Sequence, residues 1–308
     1  MKEKLTAAMS PHIRHADTTR GIMGDVLIAL SPAAVYGCVI FGFKAVILIF
    51  TCMAACVLAE FLWNKALKKP QTVGDFSALV TGLLLGMNLT VKVPVWVAVI
   101  GSVAAIIVVK QMFGGLGHNF VNPAMSARII LLVSFPSFMT TYTEPLSGVV
   151  TSATPLASAA GQNLSYRELF FGMHAGSIGE TSAFLLLAGG LYLVLRRVIS
   201  PIIPVCFIGT LAALTYAFGG DGLTAILSGG VMLGAVFMAT DYVTSPTTPL
   251  GKLIFGIGCG AITFIIRRFG SLPEGVSYSI IIMNILVPHI NTLTSGKPFG
   301  AKEGKTDA

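Results

Sequence analysis

The chain has 308 residues, 54% of them hydrophobic and only 11% charged, against roughly 25% charged in a soluble globular domain. So little polar material cannot cover a water-soluble core of this size, and lipid is the solvent the composition calls for. The net charge of +7 does not point to nucleic acid, because the basic residues stand at the ends of apolar segments rather than along a stripe.

The first twenty residues are polar, with Lys2, Lys4, Arg14 and Arg20, and lack the apolar core of a signal peptide. About ten apolar segments follow, at 25–43, 45–64, 75–90, 93–110, 122–138, 180–196, 201–218, 224–240, 251–267 and 275–291. Most approach the length of about 20 residues that a span needs, whereas 75–90 and 224–240 are short and glycine-rich. Those two also resemble each other. Ser77-Ala78-Leu79-Val80-Thr81-Gly82 reads against Thr224-Ala225-Ile226-Leu227-Ser228-Gly229, with Asp75 and Asp221 just ahead. They are the third and eighth segments, corresponding members of two halves. The expected fold is therefore an all-α polytopic membrane protein of about ten transmembrane helices, arranged as two inverted repeats of five. The repeats fall at 1–138 and 180–308, joined by a loop at 139–179.

Most lysines and arginines, among them Lys65, Lys68, Lys69, Arg196, Arg197 and Lys252, fall on one side if both termini are cytoplasmic. Arg267 and Arg268 go against this bias. The polar 139–179 loop is then extracytoplasmic, and its length suggests a task. The five cysteines lie inside apolar stretches without a Cys-x-x-Cys pair. They read as small packing residues, although Cys52 and Cys56 share a helix face. No metal site and no side-chain catalytic arrangement are expected.

The loop contains Thr151-Ser152-Ala153-Thr154-Pro155-Leu156. Small neighbours, a turn and exposure suit a hydroxyl that a transferase must reach. The tetrapeptide resembles the flavinylation motif, in which the last threonine carries FMN through a phosphoester. Four small residues alone also read as an unmodified Ser/Thr-rich loop. The wider chain resembles the D subunit of the Rnf complex and is similar to the B subunit of the Na⁺-translocating NADH:quinone reductase. The residues that carry this are Ser10 to Arg14, Gly114 to Asn119 with Asn122-Pro123-Ala124, Thr151 to Leu156, Gly176 to Glu180, and Met238 to Tyr242. Ser152 departs from the usual glycine, and the nearest preceding acid is Glu144. The short N-terminal region favours the Rnf relative.

The resemblance implies a subunit of a bacterial inner-membrane oxidoreductase complex that moves electrons between ferredoxin and NAD⁺ and couples this to Na⁺ or H⁺ transport. It implies covalent FMN on Thr154, with Thr151, Ser152 and Ala153 as its recognition motif and a flavin transferase for maturation. A non-covalent riboflavin nearer the cytoplasm and a fold similar to that of urea transporters are implied as well. The expected partners are the other Rnf subunits and membrane lipid. For the riboflavin, Asn119 and Asn122 in the glycine-rich stretch and Asp241 and Thr244 after the eighth segment are the candidates. A tight turn and an interfacial loop are the plainer readings of those two stretches. The glycine-rich stretch lacks the Gly-Lys-Ser/Thr of a phosphate loop.

Asp25, Glu60, Asp75, Glu180, Asp221 and Asp241 are the acids to consider for an ion path, most of them at segment ends. Asn64 and Lys65 follow Glu60 within about a turn and are its expected partners. Arg128 stands within a span and calls for a carbonyl or an acid. A solute channel of five-plus-five architecture and a scaffold for partner subunits are the alternative functions. The flavin motif separates the first reading from both.

Overall fold

The structure, a computed structural model, describes residues 18–145, 150–151, 165–180, 182–270 and 275–295. A helix lies within every apolar segment read from the sequence. The first two are α1 (Thr19–Phe41) and α2 (Phe43–Ala66), followed by α3 (Ser77–Met87), α4 (Val95–Val103) and α5 (Pro123–Ser134). After the short α6 (Pro136–Met139) and α7 (Tyr166–Phe171) come α8 (Ala183–Leu195), α9 (Ile202–Ala217), α10 (Gly222–Leu227) and α11 (Val231–Leu233). The last are α12 (Pro249–Phe269) and α13 (Val276–Thr294). Among the described residues α1, α2, α12 and α13 are long and apolar enough to cross a membrane. The α3, α4, α5, α8 and α9 segments are shorter apolar helices.

Local chemistry sets the boundaries. Thr18 caps α1 by accepting from the Gly21 N–H at 3.1 Å, and Gly42, at φ +77°, lets the chain reverse into α2. The start of α3 is held by Asp75, whose carboxylate accepts from the Ser77 N–H at 2.8 Å. Asp221 does the same for α10, accepting from the Leu223 and Thr224 N–H groups at 3.0 and 3.3 Å. Two helices continue as π-helix, α4 through Ala104–Gln111 and α11 through Gly234–Met238. Such segments widen a helix and re-aim its side chains.

Small residues let the helices approach closely, since packing rather than the hydrophobic effect joins helices in lipid. A Cβ on Gly82 would fall 2.6 Å from the Met53 Cα of α2, and one on Gly260 would fall 2.7 Å from the Phe207 carbonyl of α9. The α3 helix is buried along nearly its whole length, from Ser77 to Met87. Val35, Val39, Phe43, Phe50, Val133 and Leu195 stand exposed around the outside, as a lipid-facing surface requires.

The structure bears out the all-α class and modifies one expectation. Among the described residues the fold is helical except for one hairpin, in which β1 (Tyr142–Thr143) pairs antiparallel with β2 (Val150–Thr151). The end of the 139–179 loop is not a solvated connector. Residues 174–180 are buried, with the Ile178 N–H donating to Leu89 O at 3.0 Å and the Gly179 N–H to Met87 O at 2.6 Å. These bonds satisfy a backbone that would otherwise be stranded away from water, which is why a Ser- and Gly-rich segment can enter the interior.

Candidate functional site

Both π-helical segments end at one cavity. Lys110 reaches it from the first and Phe237 from the second. The cavity encloses about 760 Å³ counting its mouth. Its apolar walls include Ile22, Val26 and Leu84, and its polar lining includes Asn119, Asn122 and Asp241. It lies at the end of the molecule where α1 begins, since Ile22 and Met23 line it.

The glycine-rich stretch before α5 reaches the cavity by a turn through Gly114, Gly115 and Gly117, at φ +122°, +94° and +90°, which side chains other than glycine rarely adopt. Asn119 lines the cavity and donates to the Val121 carbonyl at 3.1 Å. Asn122 is more committed. Its Oδ1 caps α5 by accepting from the Ala124 and Met125 N–H groups at 3.0 and 3.2 Å, and its Nδ2 donates to Met238 O at 3.2 Å. Asn122 is thus first a clasp between α5 and the second π segment, with one amide hydrogen left over.

Asp241 follows that π segment. Its carboxylate accepts from the Thr244 hydroxyl at 3.1 Å and the Val243 N–H at 3.4 Å. Part of the residue is accessible through the cavity, but protein surrounds the carboxyl group, and this burial raises its pKa against the pull of those two bonds. Thr244 is absent from the lining and acts by holding Asp241. With its amide oriented to satisfy both neighbours, Asn284 of α13 joins the two stretches, donating to Thr244 O at 3.0 Å and accepting from the Asn122 N–H at 3.1 Å. Asn119, Asn122 and Asp241 therefore converge, with Thr244 behind them.

Sequence reasoning missed the cation of this site. Lys110, 2% exposed, donates to Glu60 Oε2 at 2.8 Å and Ser77 Oγ at 2.6 Å. Thr72 donates to the other Glu60 oxygen, and Asn64 donates to Thr72 at 3.0 Å. The expected pairing of Glu60 with Lys65 is not formed. Glu60 is fully buried, while Lys65 turns outward over the Phe61 ring. An ammonium fifty residues along the chain wins because a buried carboxylate needs a desolvated partner. Lys110 has three N–H donors and spends two on Glu60 and Ser77, so one remains for the cavity.

Other charges along the helices also have partners. Arg128 donates to Asn88 and stands 3.5 Å from Glu180. Asp25 accepts from Tyr192 at 2.8 Å and pairs with Arg196 at 3.2 Å. Arg267 donates to the Ala225, Ser228 and Gly229 carbonyls at 2.6, 3.2 and 3.1 Å. That bond set closes the broken end of α10.

Thr154, Ser152 and Ala153 lie outside the described residues. Thr151 is the last described residue before them, in β2. Among the described residues no group of His, Cys, Asp and Glu has the arrangement of a metal centre.

These features define a polytopic α-helical membrane protein whose elements, drawn from both ends of the chain, close on one polar-lined cavity. The chain matches the NQR2, RnfD, RnfE family over residues 6–300, and it belongs to that family. It is 48% identical over 311 residues to the D subunit of the Na⁺-translocating ferredoxin:NAD⁺ oxidoreductase complex of Acetobacterium woodii, covering 99% of this chain and 98% of that protein. It is 43% identical over 323 residues to the D subunit of the proton-translocating ferredoxin:NAD⁺ oxidoreductase complex of Clostridium ljungdahlii, covering 98% of each. It is 37% identical over 323 residues to the D subunit of the ion-translocating oxidoreductase complex of Stutzerimonas stutzeri, covering 91% of each.

Proposed function

We propose that this chain is a membrane subunit of a bacterial ferredoxin:NAD⁺ oxidoreductase complex, where it holds two flavins that relay electrons in a complex coupled to Na⁺ or H⁺ transport. One is FMN esterified to Thr154 within Thr151-Ser152-Ala153-Thr154, and the other is riboflavin in the Lys110–Asn119–Asp241 cavity. The observation that carries this reading is the near full-length likeness to the D subunits of such complexes. One of those relatives is named for Na⁺ and another for protons, so the family alone does not choose the ion.

The cavity suits an isoalloxazine by its chemistry. Apolar walls at Ile22, Val26 and Leu84 match the ring faces, and the Asn119 amide with the remaining Lys110 N–H matches the polar pyrimidine edge. The bound flavin supplies the redox chemistry, and the residues orient it and hold water away from the rings. The partners on this reading are the other subunits, lipid and a flavin transferase. With the termini in the cytoplasm, the cavity faces the cytoplasm and Thr154 the outside. An inverted-repeat plan of two times five helices goes with it. The paired roles of Asp75 and Asp221, each capping the short helix of its half and each accepting from a hydroxyl at its start, support that plan.

Acid extraction of the purified protein tests the cavity assignment. The parent is expected to release riboflavin, and a Thr81→Trp variant, which fills the cavity, none. Release from the variant equal to the parent's would sink the assignment. Flavin remaining on the denatured variant chain would report that it had folded and matured.

A further inference from the structure

A second group of buried polar side chains lies on the other side of Met238 from the cavity. Met238 is fully buried; Asn122 donates to its carbonyl, and Asn88 approaches its sulfur at 3.5 Å. Beyond Asn88 come Arg128 and Glu180. The segment 174–180, pinned to the end of α3 by the bonds of Ile178 and Gly179, carries His174, Ser177 and Glu180, and lays Glu180 against the break after α10. A Cβ on Gly230 would fall 2.9 Å from Glu180 Oε1, and one on Gly176 would fall 3.1 Å from Glu180 Oε2 and 3.9 Å from the His174 ring. Glycine at both positions lets the backbone come close to the carboxylate.

The Ser177 hydroxyl and the His174 ring nitrogens lack a hydrogen bond of good geometry among the described residues, the ring having only the Glu168 backbone near it, and Glu180 Oε1 has only the 3.5 Å approach of Arg128. His174, Ser177 and Glu180 are 3%, 0% and 6% exposed. Burial lowers the His174 pKa to about 4, so the ring is uncharged at neutral pH and offers one donor and one acceptor. A buried polar atom left unmet carries a desolvation penalty, and native interiors leave few of them. Several so close together favour a hydrated arrangement over a dry one. The Arg128 guanidinium and the Glu180 carboxylate offset each other, so no net charge calls for an ion. The patch instead presents mixed donors and acceptors, which suits water.

We propose that His174, Ser177 and Glu180 enclose ordered water beside Arg128, forming a hydrated recess in the half of the protein opposite the Lys110 cavity. Water inside a helix bundle at this depth marks a polar way in from that side. The inference needs neither flavin nor electron transfer, so it stands or falls separately from the function proposed above.

Radiolytic hydroxyl-radical footprinting of the full chain in lipid nanodiscs tests it, because radicals formed from bound water oxidise the side chains that hold it. His118, which is exposed, serves as the wet reference, and Phe207 and Phe255, both fully buried, serve as the dry ones. The expected result is oxidation of His174 at a rate comparable with His118 while both phenylalanines stay protected. Protection of His174 to the level of Phe207 would overturn the proposal.

Discussion

Lys110 shows what lipid does to a single charge. In water it would be one more surface cation; here it is the desolvated partner of Glu60, and Ser77 and Thr72 complete the set. Removing one member of such a pair leaves an uncompensated buried charge, which costs about 3–5 kcal/mol. A Lys110→Met variant is therefore expected to melt well below the parent in detergent, and the Glu60→Gln/Lys110→Met double variant to recover much of the loss. Equal melting of the single variant and the parent would show that the pair is not formed. Asp241 adds a pH dependence whose sign follows from burial. Its pKa is raised in the fold, so its contribution is fully present below the ordinary carboxylate range and is lost as pH rises through the raised value. Melting curves across pH should show the parent losing stability relative to Asp241→Asn on going from acid to neutral. A constant gap would contradict the buried carboxyl.

At the scale of elements, the helices follow from composition because lipid leaves little room for anything else. Every apolar segment contains a helix, including the short ones whose Asp75 and Asp221 caps could be read ahead of Ser77 and Thr224. What the chain did not disclose is long-range. Nothing near Glu60 names Lys110, and Arg128 gives no sign that its acid lies 52 residues on at Glu180. The Gly176–Glu180 stretch reads as polar loop because its burial depends on the Met87 and Leu89 carbonyls at the end of another helix. The convergence of Asn119 and Asp241 was legible as a possibility, whereas the second role of Asn122 as a clasp was not. Glycine packing gives a paired prediction. Gly82→Ala sets a Cβ against the Cys52 and Met53 backbone and is expected to cost about 1–3 kcal/mol. Gly209→Ala in α9 meets nothing within 4 Å and is expected to be neutral or to gain about 0.5–1 kcal/mol. Thermal melting of the two variants checks the close α2–α3 crossing, and equal effects would refute it.

At the scale of the whole molecule, the structure separates the two ends of the protein. The end where α1 begins holds the cavity with Lys110, Asn119 and Asp241, and the other end carries the hairpin of β1 and β2 that leads to Thr154. On the function proposed above, the relay runs between a riboflavin in this cavity and FMN on Thr154. The proposed function turns on the covalent flavin, because neither a solute channel nor a scaffold has a use for a flavin on Thr154. The decisive measurement is flavin fluorescence of the denatured chain on a gel, after expression with a flavin transferase, beside a Thr154→Val variant. The expected result is a fluorescent parent band and a dark variant band. A dark parent band, with the transferase active on another substrate, would contradict the covalent assignment.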